Sequence, residues 1–83
     1  MALRIVYTYH ALLKFEERLI PLDWIERALA EPDFVEPDPT QPGALRAFKA
    51  IRERDFRVLR VVYIDEGDER RIITVFFDRR RRR

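Results

Sequence analysis

Arg57-Val58-Leu59-Arg60-Val61-Val62-Tyr63-Ile64, then Asp65-Glu66-Gly67-Asp68-Glu69, then Arg71-Ile72-Ile73-Thr74-Val75-Phe76-Phe77, is the stretch that decides how this chain folds. The two outer runs are rich in β-branched and aromatic residues and read as strands. The polar segment between them carries a glycine where a tight connection needs φ > 0. Both runs are apolar at nearly every position instead of every second one. That pattern predicts strands in the middle of a sheet, covered on both faces. Arg60 and Thr74 are the polar interruptions, and each is predicted to point into an otherwise buried or half-buried surface.

Moving toward the N-terminus, residues 44–52 read either as a third strand or as a helix, because Ala44-Leu45-Arg46-Ala47-Phe48-Lys49-Ala50 satisfies both patterns. Residues 31–43 hold Pro32, Pro37, Pro39, Pro42 and Gly43 and form a loop, with room for a short edge strand at Phe34-Val35. A helix precedes it. Pro21 opens that helix, where a missing N–H costs nothing. Leu22, Ile25, Ala28 and Leu29 form its buried stripe with Trp24 flanking, and Glu31-Pro32 ends it. From about residue 9 to 20 the spacing again fits a helix. Ala11, Leu12, Phe15 and Leu19 fall on one arc, and His10, Lys14, Glu17 and Arg18 on another. Thr8 is its predicted N-cap. Residues 3–8 alternate as a short strand. The predicted fold is therefore α+β: an N-terminal strand, two helices, then an antiparallel sheet of three to four strands.

The composition narrows the chemistry. The chain has 83 residues, enough for one domain over residues 1–78, with 79–83 expected as a disordered arginine tail. Six Phe, three Tyr and one Trp supply the apolar area that a folded core requires. There is no Cys and a single His, so disulfides, thiolate catalysis and zinc sites are excluded or unexpected, and neither metal nor cofactor is predicted. No signal peptide or membrane-spanning run is visible, which predicts a cytoplasmic protein without membrane contact. The net charge of +2 hides a segregation. Removing the five arginines of 79–83 leaves −3 for residues 1–78. Within them Glu31, Asp33, Glu36 and Asp38 form one acidic block and Asp65, Glu66, Asp68 and Glu69 another. Between these blocks lie Arg46, Lys49, Arg52, Arg54, Arg57 and Arg60. Such a distribution predicts a local cationic surface.

His10-Ala11-Leu12-Leu13-Lys14-Phe15-Glu16-Glu17-Arg18-Leu19-Ile20 resembles the opening helix of the domain of unknown function family numbered 4258. The pattern there is His-Ala, a basic residue four on, then Glu-Arg-Gly-Ile. Arg60-Val61-Val62-Tyr63 and Ile72-Ile73-Thr74-Val75-Phe76 look like that family's paired C-terminal strands. Lys14 stands where Arg is usual, which keeps the charge without the bidentate fork. Leu19 stands where Gly is usual, which implies that the helix runs on to Ile20. The order of elements also resembles the RelE/ParE-like toxins. That resemblance implies the toxin of a type II toxin–antitoxin pair, an endoribonuclease acting on mRNA without a metal, partnered by a small antitoxin and by RNA or the ribosome. A homodimer through a sheet edge is compatible with it. The alternative is a non-catalytic binding module, either a ParE-like inhibitor or a domain that holds nucleic acid or protein.

The candidate site follows from that resemblance and from the polar helix stripe. RNA cleavage needs a base for the 2′-hydroxyl, cations for the charge on the phosphoryl oxygens, and an acid for the leaving group. His10, Glu17 and Arg18 are the candidate catalytic residues, because His titrates near neutrality. Lys14, Arg46, Arg52 and Arg60 are the candidate RNA-binding residues, with Thr74 supporting them. Each has a plainer reading. His10 can cap or pack the helix, Glu17 can pair with Lys14 on the surface, and Arg60 can snorkel from a sheet edge.

Overall fold

The computed structural model describes residues 4–82, an α+β arrangement of two helices on one five-stranded mixed sheet. In chain order the elements are β1 (Arg4–Tyr7), α1 (Tyr9–Glu17), α2 (Leu22–Ala30), β2 (Phe34–Pro37), β3 (Leu45–Ile51), β4 (Arg57–Glu66) and β5 (Glu69–Arg82). The sheet order is β1-β5-β4-β3-β2. β2 to β5 pair antiparallel, while β1 pairs parallel with the start of β5, from Arg4 opposite Glu69 to Tyr7 opposite Ile72. The sheet is therefore larger than the predicted antiparallel one, and mixed. Residues 45–51, open to either reading in the sequence, form a strand, because β4 offers them a partner along their whole length. Among the described residues, no helix is long and apolar enough to cross a membrane.

β4 is the central strand, and its near-continuous apolar run is explained by burial on both faces. In β5 only Ile72 and Val75 of the apolar run are buried, and Thr74 and Phe76 on the second face are half-buried. On one face the helices supply Ala11, Ile20, Trp24, Ile25, Ala28 and Leu29. These close over Ala47, Ile51, Leu59, Val61, Tyr63, Ile72 and Val75 to form the core. The other face has no helix over it, yet Phe48 is fully buried there and Val58 and Val62 nearly so. Long arginine side chains and neighbouring rings close it.

Local signals explain the element ends. Thr8 caps α1 as predicted: its Oγ1 accepts from the Ala11 N–H at 3.1 Å and donates to the Ile72 carbonyl at 3.0 Å, which also ties the helix to β5. The helix does not run to Ile20. It ends at Glu17, and Leu19 takes φ +54° in the left-handed region. The Arg18 N–H then closes on the Lys14 carbonyl and the Leu19 N–H on that of Glu16. The closure requires that backbone conformation, and the chain adopts it with leucine in place of glycine. Leu19 is consequently turned out to solvent, outside the apolar arc assigned to it. Leu3 and the side chain of Phe15, assigned to the first strand and the first apolar arc, lie outside the described residues.

The β4–β5 hairpin is tighter than its polar linker suggests. The strands reach Glu66 and Glu69, leaving Gly67 at φ +60° and Asp68 as the turn. At the other end β5 continues through Arg82, beyond Arg79 where the sequence predicts a disordered tail. Its pairing with β4 slips between Asp78, opposite Val58, and Arg82, opposite Arg57. That slip is an irregular bulge. Arg83 lies outside the described residues.

Candidate functional site

Residues directly opposite one another across antiparallel strands lie on the same face. The register therefore builds one transverse row on the face away from the helices. Phe34 of β2 is opposite Phe48 of β3, Phe48 is opposite Arg60 of β4, and Arg60 is opposite Phe76 of β5. The row is in contact along its length. Phe34 and Phe48 are stacked with ring centroids 4.5 Å apart, and the Arg60 guanidinium lies 5.9 Å from Phe48 and 4.3 Å from Phe76. Arg18 completes it from the C-terminus of α1, 5.8 Å from the Phe76 ring. Arg18 reaches this place because β1 stops at Tyr7. The edge of β5 beyond Ile72 has no strand beside it, and Arg18 donates to its Val75 carbonyl at 2.7 Å.

The neighbouring row holds Glu36 opposite Arg46, then Val62 opposite Thr74. Arg46 pairs with Glu36 at 2.6 Å and lies 5.6 Å over Phe48. Its buried Nε has no hydrogen-bond partner among the described residues. On the helix side a second group gathers about Phe77. Arg57 lies 5.0 Å from its ring, and Arg54 lies 5.5 Å from it and 5.4 Å from Trp24. Arg54 also donates to the Leu19 carbonyl at 3.2 Å, so the left-handed residue that ends α1 presents the acceptor that anchors this cation.

These groups line one open concave surface of about 990 Å³: Arg18, Arg46, Arg54, Arg57, Arg60 and Arg79, with Phe76, Phe77 and Asp78. It saddles the free edge of β5. Phe76 and Arg60 belong to one face, and Phe77 and Arg57 to the other, as strand alternation dictates. Arg60 is paired to Asp78 at 3.6 Å. Among the described residues no carboxylate lies within ion-pair distance of Arg18, Arg54, Arg57 or Arg79. The cleft is thus cationic, with aromatic walls already covered by guanidiniums.

The structure brings together three of the residues singled out in the sequence: Arg18, Arg46 and Arg60. Thr74 sits on the same face one row away and does not line the cleft. His10 is exposed in the first turn of α1, at the far end of the helix from Arg18, and lies outside the cleft. Lys14 and Glu17 pair with each other at 3.7 Å on the helix surface, the plainer reading of that pair. Arg52 is exposed in the 3-10 turn between β3 and β4, also outside the cleft. The cleft adds Arg54, Arg57, Phe76, Phe77, Asp78 and Arg79. Spacing on β5 holds a signal for Phe76 and Asp78, which alternate on the face of Thr74. Arg54 and Arg57 needed the turn geometry. There Asp55 and Phe56 both adopt positive φ, which no glycine announces. Among the described residues, no three His, Asp or Glu side chains group as a metal site would require.

No curated protein and no solved structure matches the chain. A family model does match, over residues 7–77, from the strand that leads into α1 to the aromatic end of the cleft. The chain belongs to the family described as Domain of unknown function (DUF4258).

Proposed function

We propose that this protein is a RelE/ParE-like domain that binds single-stranded RNA along the arginine cleft, by contact and without cleaving it. The observation that carries this reading is the convergence of six arginines on one concave surface, four of them without a carboxylate partner among the described residues. Guanidinium forks suit phosphate oxygens, and a positively charged groove that tracks the backbone is a usual means of holding a flexible strand. A single strand can bend over the free edge of β5 and meet cations on both of its faces. A stiff duplex cannot follow that saddle.

Binding is favoured over scission because the groups needed for proton transfer are elsewhere. His10 and Glu17 lie outside the cleft, and the cleft itself supplies arginines and the Arg60-bound carboxylate of Asp78. The test is fluorescence anisotropy with a labelled oligouridylate across a salt series, for the wild type and for Arg46→Ala/Arg60→Ala. The reading expects log affinity to fall linearly with log salt, with a slope shallower by about 1–1.5 in the variant, at roughly 0.7 for each phosphate no longer neutralised. Equal salt dependence in both proteins would sink it. Fragmented RNA on incubation with the pure protein would replace it with the endoribonuclease reading.

A further inference from the structure

Asp78 is, among the described residues, the one charged or polar residue that is buried. It lies in the cleft, two positions from Phe76 on β5 and so on the same face as Arg60, whose guanidinium stands 3.6 Å from its carboxylate. It is also the last residue of β5 in regular register with β4, before the bulge, and Arg79 after it lines the cleft too. A buried carboxylate must be paired, and one partner here is the cation at the centre of the aromatic row. Arg60 therefore lies over Phe76, 4.3 Å from the ring centre, and at ion-pair distance from Asp78. The group at ion-pair distance from it is a carboxylate, an oxyanion like the phosphodiester that a guanidinium also recognises. Glu36 stands in the same relation to Arg46, but it is partly exposed at the sheet's edge strand and outside the cleft lining.

We infer that Asp78 is an internal counter-anion for Arg60, so that a nucleic-acid phosphate engages the central guanidinium only by displacing this carboxylate. The inference rests on the RNA-binding reading and makes Asp78 its specificity-determining residue. The outer arginines capture a strand, and only a polyanion held at several of them at once supplies a phosphate at sufficient local concentration to compete at Arg60. Single small anions are rejected. Asp78 weakens binding in absolute terms and sharpens the preference for a chain of phosphates.

Three measurements with the full chain test this. Asp78→Asn, which keeps shape and removes charge, is expected to bind oligouridylate about 3–10-fold more tightly, because no carboxylate has to be displaced from Arg60, with a salt slope at least as steep as the wild type's. Asp78→Glu should stay near the wild type, and Asp78→Asn should have no effect once Arg60→Ala is present. Inorganic phosphate should compete measurably with the oligonucleotide in the Asn variant and poorly in the wild type. If the Asn variant fails to fold, the carboxylate ¹³C resonance of Asp78 in the wild type decides. It should move on adding oligouridylate, and a resonance that stays fixed at saturation overturns the inference. An Asn variant that folds and binds with unchanged or lower affinity overturns it too. In both cases binding by the wild type leaves the reading above intact, whereas no binding by the wild type removes both.

Discussion

Arg60 and Phe76 face each other directly across β4 and β5, with the guanidinium carbon 4.3 Å from the centre of the ring. The pair is mostly shielded from water, since only 20% of the Arg60 side chain is accessible. A planar cation held over a ring in such a place serves as a lid on the sheet as well as a charge. It covers the face that no helix covers, and it explains how Phe48 is fully buried on a surface otherwise open to solvent.

Arg60→Lys should therefore cost stability although the charge is retained. Lysine keeps an ion pair with Asp78 but cannot lie flat between two rings. The expected loss is about 1–2 kcal/mol, the range for a partly desolvated cation–π interaction. Urea denaturation followed by Trp24 fluorescence would measure it. A Lys variant as stable as the wild type would show that the stack is incidental.

Leu19→Gly should be stabilising. Leu19 occupies the left-handed region at φ +54°, a conformation that costs an L-residue with a side chain roughly 1–2 kcal/mol. The residue is 74% exposed, so little burial is lost on removing its side chain. Glycine's extra chain entropy returns about 0.5–1 kcal/mol of the gain, leaving a net increase of roughly 0.5–1 kcal/mol. A melting temperature that fell would mean the Leu19 side chain makes an interaction worth more than the strain.

Much of this was legible in the sequence, and the misses have physical causes. The strands β4 and β5, the Thr8 cap and the α2 stripe follow from periodicity and local chemistry, which a sequence displays directly. The position of β1 does not, because its parallel partner lies more than sixty residues away and leaves no local mark. The polar stripe of α1 was legible as a stripe, but helical projection does not say which end meets the sheet. Arg18 meets it only because the helix ends at Glu17 and β1 ends at Tyr7. Arg54 and Arg57 were legible as part of the cationic run but not as cleft residues: left-handed Asp55 and Phe56 turn the chain back, a conformation that Asp tolerates and Phe does not advertise.

Glu53 should titrate far below an ordinary glutamate. Arg27 of α2 grips it with both terminal nitrogens, each 3.0 Å from a carboxylate oxygen, and this hydrogen bonding, helped by Glu53's own backbone N–H, brings its pKa down to about 2. Since the folded value lies below the unfolded one, the pair's contribution is complete above about pH 4.5. It is lost as pH falls from there through about 2. The pair is largely solvent-exposed, so the effect on stability is small, and the residue-specific observable is the NMR titration of the Glu53 carboxylate. In Arg27→Ala the midpoint should return toward the usual glutamate range. A wild-type midpoint already in that range would show that the grip does not persist in solution.

His10→Ala and Arg18→Ala should part company in RNA binding. Both residues belong to the same polar stripe of α1, and a projection of the helix gives them equal standing. The structure separates them: Arg18 lines the cleft, touches Phe76 and covers the Val75 carbonyl, whereas His10 is exposed at the other end of the helix. Removing Arg18 should lower affinity for oligouridylate by about tenfold at low salt and flatten the salt slope by roughly 0.7, the share of one phosphate. Removing His10 should leave both unchanged. The two variants share helix α1, so comparing their melting temperatures separates a missing phosphate ligand from a loosened helix. If His10→Ala weakens binding as much as Arg18→Ala at equal stability, the strand follows the helix face instead of the β5 edge, and the cleft is not the binding surface.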